Sequence, residues 1–331
     1  LDSNTKIAVI GGGSWATAIV KMLSENHDNI FWWMRNQDTI DHIKEYGNNP
    51  NYISAAELFP SKLTISNNIN KIVEGADCII LAVPSAFIRT TLKQLEKPIK
   101  SKFVVSAIKG IVAEKNRIIG EYLHNKYEIP FQNIGVLTGP CHAEEVALER
   151  LSYLTVACED MDKAQWFADQ ISCRYIKTNV SEDIFGTEIS AVLKNVIAIA
   201  SGICHSLGYG DNFQSVLASN AIREIKRFVD GVHPIERDIK ESAYLGDLLV
   251  TMYSQFSRNR TFGNMVGKGY SVKSAQLEMN MVAEGYYAVK CIKELNEEYK
   301  IDMPITDAVY NILYQRISPV IEMRILADKL N

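Results

Sequence analysis

Short apolar runs alternate with helix-spaced apolar positions through the first half of the chain. Residues 7–10, 30–33, 78–83, 103–106 and 134–138 are runs of strand length. Between them, residues 16–23 and 86–95 repeat apolar positions at intervals of three and four, which puts them on one face of a helix. Apolar strands alternating with helices predict a parallel sheet covered on both faces. A further strand–helix–strand unit is predicted over residues 152–157, 162–171 and 175–178. Beyond Ser181 the strand signals end. Ser181 suits a helix N-cap, with Glu182 and Asp183 in a favourable first turn. Residues 188–204 are apolar almost all round, which predicts a helix buried on most sides. Helical spacing returns at 212–229, 275–297 and 305–317. The pattern predicts an α/β, doubly wound sheet over residues 1–181 and an all-helical domain over residues 182–331.

Composition narrows the classes of function. The 331 residues suit two domains, and 47% hydrophobic with 22% charged residues is the balance of a soluble globular protein. A net charge of −4 argues against a nucleic-acid partner, which needs a basic face, and leaves an anionic small substrate open. The six cysteines form no CxxC pair, so free thiols in a reducing compartment are expected, with no disulfide framework and no metal site. Neither an N-terminal signal nor a membrane insertion is expected: residues 6–10 run straight into glycines, and the apolar run at 78–83 stops at Pro84. A cytoplasmic location is the expectation.

The first strand leads directly into Gly11-Gly12-Gly13-Ser14-Trp15-Ala16, followed by a helix. This is G-x-G-x-x-A. Gly11 permits the tight turn, Gly13 permits a pyrophosphate to approach the backbone, and the small Ala16 permits close packing of helix on strand. The helix N-terminus then offers N–H groups and partial positive charge to phosphates. Strand before, helix after and N-terminal position all agree with a Rossmann-type dinucleotide loop; a merely structural turn is the alternative. The end of the second strand carries Met34-Arg35-Asn36 where an acid would bind a ribose 2′-hydroxyl. Arg35 suits a 2′-phosphate or a stack on adenine, so NADP(H) is expected to be accepted beside NAD(H); a solvated surface cation is the other reading.

Lys194 lies in the apolar helix, in a narrow stripe with Ser190, Ala198, Ser201 and His205. A lysine at the edge of a core finds a partner or lowers its pKa, and a lowered pKa suits proton exchange with an alcohol. A lysine snorkelling to solvent is the competing reading. Asp247, ahead of Leu248-Leu249-Val250, is either a helix N-cap or the partner of a buried cation. In Ser257-Arg258-Asn259-Arg260, the planar fork of Arg258 suits a phosphate, though a solvated basic turn has the same composition.

Taken in order, these segments resemble the bacterial NAD(P)-dependent glycerol-3-phosphate dehydrogenases over essentially the whole chain. The likeness is carried by Gly11 to Ala18, Ala82-Val83-Pro84-Ser85, Ala107-Ile108-Lys109-Gly110, Gly139-Pro140 with Ala143 to Ala147, and Leu193 to Ala200. It continues through Leu245-Gly246-Asp247-Leu248, Ser257 to Arg260, Val282-Ala283-Glu284-Gly285 and Met303-Pro304-Ile305. The resemblance implies a C-terminal domain like that of 6-phosphogluconate dehydrogenase. It implies hydride transfer between dihydroxyacetone phosphate and sn-glycerol 3-phosphate, with glycerol 3-phosphate supplied to phospholipid synthesis. It implies that Ser14, Trp15, Arg35, Lys109, Ala143, Arg258, Val282 and Glu284 line the dinucleotide. Lys109, Gly139, Cys141, Lys194, Asp247, Ser257, Arg258 and Asn259 would line the substrate, with Lys194 as proton acceptor in alcohol oxidation and Asp247 holding it. Several apolar helical faces are compatible with a homodimer.

The chain departs from the family at Cys141, where a small polar residue is usual. A thiol is a poorer donor than a hydroxyl, which matters only if the side chain, not the backbone N–H, meets the ligand. Ala243-Tyr244 also departs from the usual small residues before Leu245-Gly246-Asp247. Two rivals share part of the pattern: a 3-hydroxy-acid or 6-phosphogluconate type dehydrogenase, and a non-catalytic NAD(P) sensor. Retention of Lys109, Lys194, Asp247 and Arg258 disfavours the sensor. One outcome follows for Arg35. Arg35→Ala weakens NADPH binding more than NADH binding in a fluorescence titration; equal losses show that Arg35 does not read the 2′-phosphate.

Overall fold

The computed structural model describes residues 1–2, 4–112, 117–279 and 283–331. Val282 of the expected dinucleotide site therefore lies outside the described residues. The chain forms two compact units, Leu1–Ile108 with Ile119–Ile184, and Lys109–Ile118 with Phe185–Asn331.

The first unit runs β1 (Ile7–Ile10), α1 (Ser14–Leu23), β2 (Ile30–Trp33), α2 (Gln37–Tyr46), β3 (Leu63–Ser66), α3 (Ile69–Glu74), β4 (Cys78–Leu81), α4 (Ile88–Leu92) and β5 (Phe103–Ser106). A short hairpin, β6 (Ile111–Val112) and β7 (Arg117–Ile118), then leaves to cluster with the second unit. The first unit resumes with α5 (Ile119–Tyr127), β8 (Ile134–Thr138), α6 (Ala143–Ala147), β9 (Ser152–Ala157), α7 (Met161–Ile171) and β10 (Ile176–Ser181). The eight strands order as β10-β9-β8-β5-β4-β1-β2-β3. β1 pairs in parallel with β2 on one side and with β4 on the other, so the direction of winding reverses beside it. Ligands of open α/β sheets bind at the carboxyl ends of strands at such a switch point. Every residue of β1, β4 and β5 is buried, as continuous apolar strands between two helical layers must be.

The expected all-parallel sheet is corrected at one place: β8 and β9 are antiparallel. A parallel return needs a crossover helix long enough to span the sheet. The connection here holds only α6, five residues long, which rises about 7 Å.

The second unit contains α8 (Ile184–Ser206), α9 (Asp211–Val232), α10 (Asp247–Tyr253), α11 (Arg258–Gly267), α12 (Val272–Glu278), α13 (Glu284–Tyr299), α14 (Pro304–Leu313) and α15 (Pro319–Ala327). With the hairpin packed on it, this unit is not purely helical. The single helix expected over 275–297 is two, α12 and α13. Ser181 accepts a hydrogen bond from the Asp183 N–H at 3.2 Å, while α8 itself opens at Ile184. Among the described residues one helix, α8, is long and apolar enough in composition to cross a membrane, and it is almost wholly buried within the protein.

Glycines let neighbouring helices approach α8 to backbone distance. A Cβ at Gly263 of α11 would overlap the Ile199 carbonyl, one at Gly202 would overlap the Arg260 carbonyl, and one at Gly285 of α13 would overlap the Asn195 carbonyl. α11 and α13 are thereby fixed against the stretch of α8 that carries Lys194 and Asn195.

Glu224 of α9 is 1% exposed and supplies the cap that α14 lacks locally. Its carboxylate accepts from the Ile305 N–H at 2.8 Å, the Thr306 N–H at 2.9 Å and the Thr306 hydroxyl at 2.7 Å. Burial outweighs these bonds and pushes the Glu224 carboxyl from 4.5 up to about 7. A carboxyl raised on folding holds its proton better in the native state, so its stabilising contribution is full below pH 4.5 and is lost as pH rises towards 7. The urea-derived stability of wild type relative to Glu224→Gln should therefore fall by up to roughly 3 kcal/mol across that window. A difference that does not change with pH contradicts the assignment.

Candidate active site

Lys194 lies midway along α8 and is 4% exposed. Its Nζ donates to Asp247 Oδ1, and Asp247 is 1% exposed. The snorkelling reading of Lys194 is therefore excluded. Asp247 is also not an N-cap. A π-helical turn, Ser242–Gly246, runs into α10, and Asp247 already has helical dihedrals. Its carboxylate is thus left for the cation, while its carbonyl accepts from the Thr251 hydroxyl one turn on, at 2.6 Å. The π-helical turn includes Ala243-Tyr244, both buried.

A second cation reaches the same oxygen: Lys109 Nζ stands 3.7 Å from Asp247 Oδ1, with its side chain one-fifth exposed. Lys109 follows β5 in sequence and belongs with the hairpin to the second unit. Burial pushes the Lys194 ammonium down to about 7; Asp247 opposes that fall and the charge of Lys109 adds to it. A lysine whose ammonium is destabilised by burial has both its acid and its base form available around neutral pH, as a group that gives and takes a proton needs.

Asn195 and Asn259, both buried, form a head-to-tail amide chain beside the pair. The Gly285 N–H donates to Asn259 Oδ1 at 2.9 Å, Asn259 Nδ2 to Asn195 Oδ1 at 3.0 Å, and Asn195 Nδ2 to the Lys109 carbonyl at 2.9 Å. This chain ties the backbone of Lys109 to α8, α11 and α13. It leaves Asn259 one amide hydrogen beyond those bonds. Ser257 is the N-cap of α11, accepting from the Arg260 N–H at 3.3 Å, and Arg258 opens that helix half-buried. Glu284 opens α13. Asn195 was not singled out by its sequence, although it follows Lys194 directly; an asparagine inside an apolar helix is the available signal.

In the first unit the glycine loop follows β1. Gly11 has φ +142°, and a Cβ there would overlap the Ala82 carbonyl; at Gly12 a Cβ would stand 2.9 Å from that of Met34. Packing alone demands those two. At Gly13 a Cβ would meet nothing within 4 Å. The glycine that packing does not require faces open space at the N-terminus of α1, as a pyrophosphate cradle needs. These residues fit a dinucleotide. Ser14 is buried, Trp15 half-buried, and Arg35 exposed at the end of β2. Gly139 has φ +121°, with a Cβ position 2.8 Å from the Tyr153 carbonyl; Cys141 and Ala143 are buried beyond it. Loop and lysine pair are each complete within one unit.

Residues 6–164 match the family model for the NAD-dependent glycerol-3-phosphate dehydrogenase N-terminus, and residues 183–323 match that for its C-terminus. The chain is 34% identical over 316 residues to glycerol-3-phosphate dehydrogenase [NAD(P)+] of Staphylococcus carnosus (strain TM300), covering 95% of each chain. It is 36% identical over 314 residues to the Bacillus pumilus (strain SAFR-032) protein of the same name, covering 94% of this chain and 90% of that one. The crystal structure of glycerol-3-phosphate dehydrogenase from Coxiella burnetii superposes with a TM-score of 0.90 at 26% identity, covering 98% of this chain and 99% of that one. With its two-part fold, glycine loop and buried lysine–aspartate pair, the chain belongs to the NAD-dependent glycerol-3-phosphate dehydrogenase family.

Proposed function

We propose that this protein interconverts dihydroxyacetone phosphate and sn-glycerol 3-phosphate as an NAD(P)-dependent oxidoreductase acting on a CH–OH group. Residues 1–181 would form the dinucleotide-binding domain. Residues 182–331, with the Lys109 hairpin, would form the substrate domain. The observation that carries this reading is the buried Lys194–Asp247 pair with Lys109 on the same carboxylate.

When bound, the nicotinamide supplies or accepts the hydride. In ketone reduction the Lys194 ammonium gives its proton to the oxygen that becomes the alcohol; in oxidation neutral Lys194 takes it back. Asp247 holds the amine in place and keeps the charged form accessible despite burial. Lys109, Arg258, Asn259 and Ser257 surround the substrate in this reading, with Gly139 and Cys141 as further contacts. The cationic groups of Lys109 and Arg258 match a phosphate. In the first unit Gly11, Gly13 and Ser14 would receive the pyrophosphate, with Trp15, Arg35 and Ala143 as further dinucleotide contacts; Lys109, Arg258 and Glu284 are the contacts proposed from the second unit. The partner is a small molecule. A cytoplasmic location, supported by six free cysteines, belongs to the same reading, as do a homodimer and a supply of glycerol 3-phosphate to phospholipid synthesis.

Oxidation of NADPH and NADH, followed by absorbance with dihydroxyacetone phosphate beside a panel of keto acids, tests the reading. Turnover of dihydroxyacetone phosphate alone is expected, with Lys194→Ala reducing it by roughly a hundredfold or more while dinucleotide still binds. Faster turnover of a keto acid overturns the substrate, and undiminished turnover by Lys194→Ala overturns the proton carrier.

A further inference from the structure

The carbonyls of Gly11, Gly12 and Gly13 each accept a hydrogen bond from a side chain, and that of Gly13 also accepts the first backbone bond of α1, from the Thr17 N–H at 3.0 Å. Trp32 Nε1 donates to the Gly11 carbonyl at 2.6 Å, Asn49 Nδ2 to the Gly12 carbonyl at 3.2 Å, and the Thr17 hydroxyl to the Gly13 carbonyl at 3.0 Å. Asn49 also directs the last of these. Its Nδ2 donates to Thr17 Oγ1 at 2.9 Å, so the single hydroxyl proton of Thr17 is turned onto Gly13. Asn49 is fully buried, and its Oδ1 accepts from the Asn51 N–H at 3.1 Å. Asn51 in turn donates to Thr39 Oγ1 at 2.9 Å, and the Thr39 N–H is capped by Asn36, next to Arg35. The short segment after α2 therefore braces both the turn after β1 and the turn after β2.

Peptide geometry gives this brace a consequence. In a trans peptide the carbonyl of one residue and the N–H of the next point in opposite directions. A carbonyl held by Trp32 or Asn49 turns the following N–H, of Gly12 or Gly13, away from that side chain, and the Gly13 carbonyl, held along α1, turns the Ser14 N–H out of the helix N-terminus. A Cβ at Gly13 would meet nothing within 4 Å, so the loop is open at that residue. Glycine peptides are otherwise the freest in the chain to rotate.

We propose that Asn49 is a positioning residue for the dinucleotide: through Gly12 and Thr17 it fixes the outward N–H face of the glycine loop that receives the pyrophosphate. The proposal rests on the reading that this loop holds the dinucleotide. Asn49 is fully buried, so it acts through the loop. It lowers the cost of ordering the loop on binding, so it acts on dinucleotide affinity and leaves the proton chemistry at Lys194 alone.

Asn49→Asp keeps the side chain's size and removes both donors. Titration of the full-length protein with NADPH and NADH, followed by nicotinamide fluorescence, should show Kd rising about tenfold or more. kcat at saturating dinucleotide should stay within about twofold, the signature of lost uniform binding. A merely structural role predicts a lower Tm with wild-type Kd, and that result overturns the proposal. If Asn49→Asp does not fold, Thr17→Val, which removes one hydroxyl, carries the same test. A severalfold rise in Kd supports the proposal, and an unchanged Kd overturns it. Gly13→Asp separates this proposal from the reading beneath it, because its side chain enters open space and the fold tolerates it. If Gly13→Asp leaves Kd unchanged, the loop does not hold the dinucleotide and both fall. If Gly13→Asp abolishes binding while Asn49→Asp does not alter it, only the role of Asn49 falls.

Discussion

Placing an ammonium group inside an apolar helix is the constraint on which the second unit depends. Taking the Lys194 charge out of water costs several kcal/mol, and a carboxylate at contact distance repays part of that cost. Asp247 is therefore required beside α8, and the chain delivers it through a π-helical turn that starts α10 with the carboxylate already turned towards the lysine. The pair is balanced against a third charge. With Lys109 at 3.7 Å on the same oxygen, neither cation has the carboxylate to itself, and Lys194 remains poised to lose its proton. An exposed lysine would be held firmly protonated, and a buried one without Asp247 would be held neutral. Proton exchange in both directions needs the intermediate condition.

Packing around the pair serves the same end. Glycines at 202, 263 and 285 let α11 and α13 close on α8 at backbone distance. That closeness lets the short side chains of Asn195 and Asn259 bridge from Gly285 to the Lys109 carbonyl. The first unit uses the same device on its glycine loop, where buried side-chain donors hold the carbonyls. In both units buried polar side chains fix backbone groups that packing alone would leave free to turn.

Much of this was legible in the sequence because burial leaves a periodic mark. The central strands are continuous apolar runs, α8 is apolar almost all round, and the glycine loop carries its own spacing. Elements with little buried surface left no such mark. α2 buries only Thr39, Ile40 and Ile43, and β3 is mostly half-buried at the sheet edge. The antiparallel β9 depends on how short α6 is, a boundary that periodicity does not resolve. Asp247 read as well for a cap as for an ion-pair partner, since the π-helical turn that decides between them has no local signature. Asn49 and Asn195 look like ordinary loop and helix asparagines; their partners are brought near only by the fold. Glu224 is similar, a carboxylate on α9 capping a helix 81 residues further along the chain.

As the proposed carrier of the substrate's proton, Lys194 ties the rate of each direction to its own protonation state. Single-turnover hydride transfer, followed in both directions from about pH 6 to about pH 9, tests that role most directly. In the proposed role, Lys194 must be neutral for alcohol oxidation, which should speed up as pH rises through the lysine's ionisation, and charged for ketone reduction, which should slow over the same range. Rates that are flat with pH, or that move in the same direction for both reactions, would exclude Lys194 as the proton carrier.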